Sequence, residues 1–178
     1  MKKEEYAVIL EYLPNGYPLE GKMIPIAQAI GEANLTLLEL VPRRGLTLEA
    51  GEKVYIGEGK RDKIYYILGR LKREKLTESA KNQLQEVIKR IVKEQEKVFL
   101  DFFNTSEAIN KRIHKIELLP GIGKKHMQEI LKQRKEKAFE SLGDMKKRIQ
   151  NLPDPEKAIE KRIMKELTNI ERYNLFVN

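Results

Sequence analysis

The sequence predicts a protein of the α+β class in two parts, a small β-barrel followed by an all-helical domain. Short apolar runs separated by Gly, Pro and Asn occupy residues 1–69, whereas a helical period begins after Gly69. The balance of charge changes at the same place. A chain of 178 residues has room for two small domains.

Several short strands are expected in the first part. Tyr6–Tyr12 is rich in β-branched and aromatic residues and ends at the turn cluster Pro14-Asn15-Gly16. Further strands are predicted before Pro25, at residues 35–41, at residues 54–56 and at residues 64–68. Residues 28–33 are ambiguous and could form one helical turn. Short strands separated by such turns favour a small closed or half-closed barrel, here over residues 1–73.

The second part is predicted to be helical throughout. Apolar residues recur at helical spacing from Leu84 to Phe99, which predicts a long connecting helix that starts near Thr77, within residues 74–104. A domain of shorter helices is expected over residues 105–178. Their predicted starts are a capping-box pair at Asn104 and Glu107, an N-cap at Ser141 with Asp144, and Asp154-Pro155; the apolar stripes are Ile109, Ile113 and Ile116, then Met127, Ile130 and Leu131.

The positive charge lies in the second part. Residues 70–178 carry 26 Lys and Arg against 17 Asp and Glu, whereas residues 1–69 carry 9 against 10. Such a concentration of positive charge indicates a polyanionic partner. The alternative is that lysines simply solvate exposed helices, as in Lys- and Glu-rich thermophile compositions. Charge alone leaves both interpretations open.

The composition excludes several kinds of chemistry. The absence of cysteine excludes disulfides, thiolate zinc sites and cysteine nucleophiles. His114 and His126 lie far apart and outside any cluster of His and Asp, so no metal site and no cofactor are predicted. The sequence contains no apolar run that could span a membrane and no signal-peptide pattern at its start. A cytoplasmic protein is therefore expected.

The segment Glu117–Lys135, ELLPGIGKKHMQEILKQRK, contains the most specific motif. Gly121 and Gly123 permit a tight turn, and the backbone amides that follow would lie free at the positive end of a new helix. Such amides bind phosphate, and the neighbouring lysines would add attraction. The predicted nucleic-acid-binding residues are Gly121, Ile122, Gly123, Lys124, Lys125 and Lys132, with Ile122 packed inward.

The stretch LLPGIGKK resembles the helix-hairpin-helix motif of DNA- and RNA-binding proteins that lack sequence specificity, over roughly residues 113–134. Met127 departs from the motif, which commonly has Ala there. Shifting the sequence by 33 residues places Leu119-Pro120 over Leu152-Pro153, which predicts a second, degenerate copy and a tandem pair over residues 105–168. An ordinary connection between two helices is the alternative.

The whole chain resembles an archaeal family of unknown function, number 655 in that series, described as predicted RNA-binding. The resemblance is carried by EYLPNGYP, LPGIGKKHM and ERYNLFVN. It implies an OB-like barrel joined to tandem helix-hairpin-helix motifs. Such barrels bind single strands through aromatic and basic residues. The possible barrel contacts are Arg43, Arg44, Tyr55, Lys60, Arg61, Lys63 and Tyr65, although strand tyrosines often serve only in packing.

The predicted function is non-sequence-specific binding of nucleic acid, RNA in preference to DNA, with no catalytic residue. One alternative is a docking module of a nucleoprotein assembly. Another is a helix-hairpin-helix DNA repair enzyme with Lys125 as nucleophile and Asp144 as its carboxylate. Such an enzyme needs a second helical domain to enclose a flipped base, and this chain is predicted to have a barrel instead. The chain is therefore expected not to be an enzyme.

Overall fold

The computed structural model describes residues 3–21 and 23–178. The chain divides into two compact units. The first unit takes in Met1–Val87 together with Glu166–Asn178, and the second takes in Ile88–Lys165. The end of the chain therefore belongs with the sheet and not with the helices that precede it.

The first unit is built on a curled, antiparallel half-barrel. Within residues 3–21 and 23–178 it has five strands in the order β4-β1-β2-β3-β5. Register shifts in β1 after Ile9 and in β3 after Glu39 mark irregularities of the kind that bend strands and curl a sheet. The strands are β1 (Tyr6–Leu13), β2 (Ile26–Gly31), β3 (Leu37–Pro42), β4 (Lys53–Tyr55) and β5 (Ile64–Arg70).

The core of the half-barrel consists of alternate side chains of neighbouring strands. Each strand turns successive residues to opposite faces, so that one face of every strand contributes to the same apolar cluster. The cluster comprises Ala7, Ile9, Ala27, Ala29, Leu38, Leu40, Leu48, Val54, Ile56 and Ile64. Gln28 is fully buried and bonds to the backbone of Lys75 and Thr77, which ties the sheet to the start of the following helix.

Most of the predicted strands are confirmed, and one is displaced. β1, β3, β4 and β5 lie where the sequence predicts them, and Val54 and Ile56 are buried in the core. The strand predicted before Pro25 lies after it. Residues 28–31, which could have formed a helical turn, belong to this strand, because all six residues of β2 are buried between β1 and β3.

The helices follow the sheet in chain order. A 3₁₀ turn at Arg73–Lys75 leads into the helices, and a second 3₁₀ turn occupies Lys115–Leu118. The α-helices are α1 (Glu78–Glu94), α2 (Glu96–Thr105), α3 (Lys124–Glu136), α4 (Leu142–Arg148) and α5 (Pro155–Thr168). In the described part of the chain, no helix combines the length and apolar character needed to cross a bilayer.

Three predicted helix starts are confirmed. The amide of Ala80 donates to Thr77 Oγ1 at 3.0 Å, and the amide of Asp144 donates to Ser141 Oγ at 2.9 Å. At the start of α5, the amide of Glu156 donates to Asp154 Oδ1 at 3.0 Å. Each side chain satisfies an amide that the first turn of a helix leaves unpaired.

The predicted α+β class is confirmed, but its two predicted parts, an OB-like barrel and a separate all-helical domain, are wrong. β4 pairs with β1 and β5 pairs with β3, so the five-stranded sheet is an open half-barrel and not a closed OB-like barrel. A separate all-helical domain is not found in the described residues, because α1 and α5 each contribute to both compact units. The prediction of two helix-hairpin-helix motifs in such a domain is therefore wrong as well.

The prediction of a helix before residues 119–123, the glycine loop, is also wrong. Asn104 lies inside α2, where its side chain exchanges two hydrogen bonds with the backbone of Phe139, at 2.8 and 3.0 Å. Residues 106–114 are irregular and are closed by a short bridge between Ala108 and His114. The stripe of Ile109, Ile113 and Ile116 therefore lies on a loop and one 3₁₀ turn.

Candidate nucleic-acid interface

The loop that carries the predicted phosphate site is held from its N-terminal side by a capping box. The 3₁₀ turn Lys115–Leu118 begins at His114, whose Nδ1 accepts from the amide of Ile116 at 3.1 Å. The amide of His114 donates to Glu117 Oε1 at 2.7 Å. This bond is the largest cause that lowers the pKa of Glu117 from its ordinary value of 4.5. The two reciprocal bonds fix the direction in which the chain enters the loop.

The glycine loop itself is anchored by Ile122 and turned by Gly121. Ile122 is buried, and its amide donates to the carbonyl of Leu119 at 3.1 Å, which confirms its predicted inward packing. Gly121 has φ +84°, in the region that favours glycine. A Cβ at Gly121 would lie 3.7 Å from Pro153 Cβ, so the loop before α3 contacts the loop before α5.

Gly123 is the N-cap of α3 and leaves the start of that helix open. Its φ of −92° and ψ of −172° are ordinary extended values, and a Cβ there would meet no atom of the described residues within 4 Å. In the described part of the chain no side chain caps this terminus. The amides of Lys124, Lys125 and His126 therefore have no acceptor within their own helix. They lie at its N-terminus, which is the positive end of the helix dipole.

The lysines around this terminus differ in their availability. Lys124 Nζ donates to the carbonyl of Arg112 at 3.0 Å and pairs with Glu117 Oε2 at 3.3 Å, so its charge is partly used to close the loop. Lys125 and Lys132 are exposed. They lie seven residues apart on α3, which places them on the same side of the helix two turns apart. Exposed Lys135 extends this cationic stripe.

The equivalent loop before α5 is closed to an anion. Asp154 occupies the N-cap and receives the amide of Glu156, while its other oxygen pairs with Lys146 at 3.2 Å. Burial raises the pKa of Asp154, but the bond from Lys146 and two backbone amides outweigh this effect and hold the pKa below 3.8. Pro155 has no N–H to offer. A negative carboxylate therefore takes the place that a phosphate would need.

Most of the residues predicted as barrel contacts are engaged within the first unit. Arg43 donates to the carbonyl of Arg61 at 2.7 Å, and Arg61 donates to the carbonyl of Gly57 at 2.8 Å. Lys63 is paired with Glu52.

Tyr55, another predicted barrel contact, serves in packing. Its ring lies edge-on to that of Tyr6 at 5.4 Å, and its hydroxyl accepts from the amide of Gly59. Lys60 is exposed in the loop between β4 and β5.

Arg43, Arg44 and Tyr65 line one cleft of about 580 Å³ beside β5. Tyr65 is 65% exposed, and its ring lies edge-on to that of Tyr66 at 5.3 Å. The structure thus brings these three predicted residues together in the first unit, which contains the sheet, and places Lys125 and Lys132 in the second unit.

The sequence contains a signal for one further element, the capping box at His114. His114-Lys-Ile-Glu117 has the spacing of a capping box, with histidine in the place usually taken by Ser or Thr.

Within residues 3–21 and 23–178, no three His, Cys, Asp or Glu side chains are grouped so that they could hold a metal ion.

An α+β protein with an open antiparallel half-barrel and a cationic loop-to-helix junction is the class that the fold and the site define. The chain belongs to the family described as Protein of unknown function (DUF655), whose model matches residues 3–178. It is 45% identical over 178 residues to Uncharacterized protein MJ0038 of Methanocaldococcus jannaschii, covering 99% of this chain and 81% of that protein. The crystal structure of Af1531 from Archaeoglobus fulgidus, also assigned to this family, superimposes with a TM-score of 0.87 at 43% identity. That match covers 98% of this chain and 100% of the other.

Proposed function

We propose that the protein binds nucleic acid through backbone phosphates, RNA in preference to DNA, at the glycine loop and the start of α3. The observation that carries the proposal is the uncapped N-terminus of α3. Gly123 leaves open space at that end, and exposed lysines continue along the helix. Helix N-termini of this kind bind phosphate because the free amides and the dipole act together.

The chemistry of the site supports binding without sequence preference. Backbone amides and lysine ammonium groups contact phosphate oxygens, which are the same in every nucleotide. The concentration of positive charge in residues 70–178 would attract any polyanion and lead it to the site. Preference for RNA would have to come from strand shape or the 2′-hydroxyl group.

The contacts of Asp144 argue against the repair-enzyme alternative. Asp144 Oδ2 accepts from the amide of Glu140 at 3.1 Å and pairs with Arg148 at 3.4 Å. The amide of Asp144 is itself bonded to Ser141. This carboxylate therefore serves the first turn of α4, which favours a structural role over catalysis.

The end of the chain offers little to a docking partner. Residues 173–177 are an apolar segment that such a partner could contact, yet the amides of Leu175, Phe176 and Val177 all donate to Glu166 Oε1, at 2.9 to 3.1 Å. The tail is therefore folded back onto its own unit.

A binding titration against several unrelated oligonucleotides at increasing salt tests the proposal. Fluorescently labelled single-stranded RNA and DNA of equal length and different sequences should bind with affinities that differ little between sequences. The affinity should fall steeply with salt, as counterions are released from the phosphates. Binding that is independent of salt, or the absence of binding at low salt, would contradict the proposal.

A further inference from the structure

We propose that a cleft on the sheet unit, between the end of β5 and the tail, binds a phosphate group through Arg73. This cleft is independent of the glycine loop, and all of its lining residues belong to the first unit. Its volume is about 360 Å³. The charged residues that line it are Arg70, Lys72, Arg73, Glu74 and Glu166.

Arg73 is the residue that points to a ligand. Its Nη1 atom is buried, and among the residues that the structure describes it has no hydrogen-bond partner. Each N–H of a guanidinium group is a hydrogen-bond donor, and a buried donor without an acceptor is unfavourable. Buried polar groups almost always have partners, and an unpaired one lowers stability. Arg73 lines the cleft, and its guanidinium would turn toward an anion bound there, which would supply the missing acceptor.

The acidic groups of the cleft leave room for that anion. Glu166 uses one oxygen, Oε1, to accept three successive amides of the tail, so its negative charge is balanced by these donors. Glu74 is exposed. In the described part of the chain, neither carboxylate accepts a hydrogen bond from Arg73 Nη1.

The tail forms one wall of the cleft. Asn174, Val177 and Asn178 line it, and Glu166 fixes this segment through its backbone. Arg70 Nη2 reaches the main-chain oxygen of Asn178 at 3.5 Å and so belongs to the wall. Arg73 and the exposed Lys72 remain to contact a ligand.

The chemistry of these side chains favours phosphate. The planar guanidinium fork matches two oxygens of a phosphate, and a lysine ammonium adds charge from a second direction. A volume of about 360 Å³ lies at the small end of the range for small-molecule sites, roughly 300–1,000 Å³. The phosphate could belong to a small phosphorylated molecule, such as a nucleoside monophosphate, or to a nucleic-acid strand.

Calorimetric titration of the full chain with three probes tests the proposal and distinguishes these sources. The probes are inorganic phosphate, adenosine monophosphate and a 5′-phosphorylated single-stranded oligoribonucleotide. Saturable binding of the monophosphate supports a small-molecule source. Binding of the oligonucleotide alone, if it is lost in Arg73→Met, supports a nucleic-acid source. Failure of all three probes to bind overturns the proposal.

Matched variants separate this cleft from general charge effects and from the glycine loop. Arg73→Met should weaken binding of the probe by about tenfold or more, because charge-assisted hydrogen bonds are removed. Lys93→Met removes the same charge from an exposed position of α1 and should change the affinity by less than about twofold. Lys125→Ala distinguishes the two sites, because a loss of monophosphate affinity in this variant belongs to the glycine loop, whereas the loss in Arg73→Met belongs to the cleft.

Thermal melts show whether Arg73 serves the fold or a ligand. In phosphate-free buffer, Arg73→Met should keep or raise Tm, because it removes a buried donor that has no partner. Added phosphate should raise the Tm of the parent and leave that of the variant unchanged. A fall in Tm with probe affinity intact would show that Arg73 is structural, and the proposal would fail.

Discussion

At the scale of single residues, Gly121 and Gly123 have different reasons to be glycine. Gly121 adopts φ +84°, a conformation that residues with a side chain rarely adopt, so a side chain there would strain the backbone. Gly123 adopts extended values that any residue accepts, and open space surrounds it. Since its backbone does not require glycine, what Gly123 provides is an uncapped helix start.

Replacement of Gly123 by Asp should therefore separate binding from stability. Asp is among the best N-cap residues, so Gly123→Asp should keep α3 and raise stability by a few tenths of a kcal/mol. Its carboxylate would take the first-turn amides and repel phosphate, which should lower oligonucleotide affinity by about tenfold or more. Thermal melts and binding to a labelled oligonucleotide measure the two effects.

Gly123→Asn is the matched control, because asparagine caps the helix as well without a charge. We expect it to weaken binding less than Gly123→Asp does. Unchanged affinity in a folded Gly123→Asp variant would remove the loop from the interface.

Asp154 should show the opposite behaviour. Asp154→Ala removes the cap of α5 and the pair with Lys146, and it should cost about 1 kcal/mol of unfolding free energy. Affinity for nucleic acid should stay nearly constant, because this loop is occupied by its own carboxylate. Urea unfolding and oligonucleotide titration of the same preparation measure both. If folded Asp154→Ala and Gly123→Asp lose equal affinity, the two loops are not different in function.

At the scale of elements, the helix starts show what the sequence can and cannot predict. Ser141 and Asp154 act on amides two or three residues away, so their local sequence is enough to predict them. Asn104 has the same local signal, but its side chain bonds to Phe139, 35 residues away. A tertiary contact of this kind leaves no trace in local spacing.

The break between α1 and α2 was equally hidden from the sequence. It falls at Gln95, which has φ −108° and ψ 34°. The surrounding residues, Lys93 to Lys97, read KEQEK and contain neither Gly nor Pro. The apolar period runs across this point, and therefore the sequence predicts one continuous helix where the structure has two.

The 3₁₀ turn before the glycine loop should be sensitive to pH. Burial lowers the pKa of His114 below its ordinary value of 6.5, and the positive charge of Arg134 acts in the same direction. Nδ1 must be neutral to accept the amide of Ile116. The folded pKa is the lower one, so the stability from neutral His114 is complete above pH 6.5. It is lost as pH falls from there through the folded pKa.

Urea midpoints at pH 8 and pH 5 measure this effect. His114→Asn is the control, because its side chain can still accept the amide but does not titrate in this range. The parent should lose more stability than the variant between the two pH values. The depressed pKa of Glu117 acts only below about pH 4.5, outside this window. If the parent and the variant lose the same stability between pH 8 and pH 5, protonation of His114 does not destabilise the turn.

At the scale of the whole molecule, the excess of positive charge in residues 70–178 has two explanations. Either these residues bind a polyanion, or the lysines solvate exposed helices. The division of the chain is not the one that the change of period suggests, because residues 166–178 rejoin the sheet unit. The motif-bearing loop and its lysines nevertheless lie within the second unit. The sequence alone therefore shows which part of the chain carries the excess of Lys and Arg. It could not predict that Lys124 pairs with Glu117 and that Lys125 and Lys132 remain exposed.

Salt dependence measured on two double variants separates a phosphate-binding site from general solvation by lysine. Lys125→Ala with Lys132→Ala removes two exposed cations of α3, and Lys93→Ala with Lys97→Ala removes two exposed cations from α1 and α2. Both variants lower the net charge equally. If α3 binds phosphates, the first variant should lower the slope of log affinity against log salt by roughly 0.7–0.9 for each phosphate that the protein no longer neutralises. The second should shift affinity slightly with its slope unchanged, because its lysines act only through long-range attraction. Equal slopes in both variants and the parent would mean that the positive charge of residues 70–178 serves solvation, and the proposed interface would be wrong.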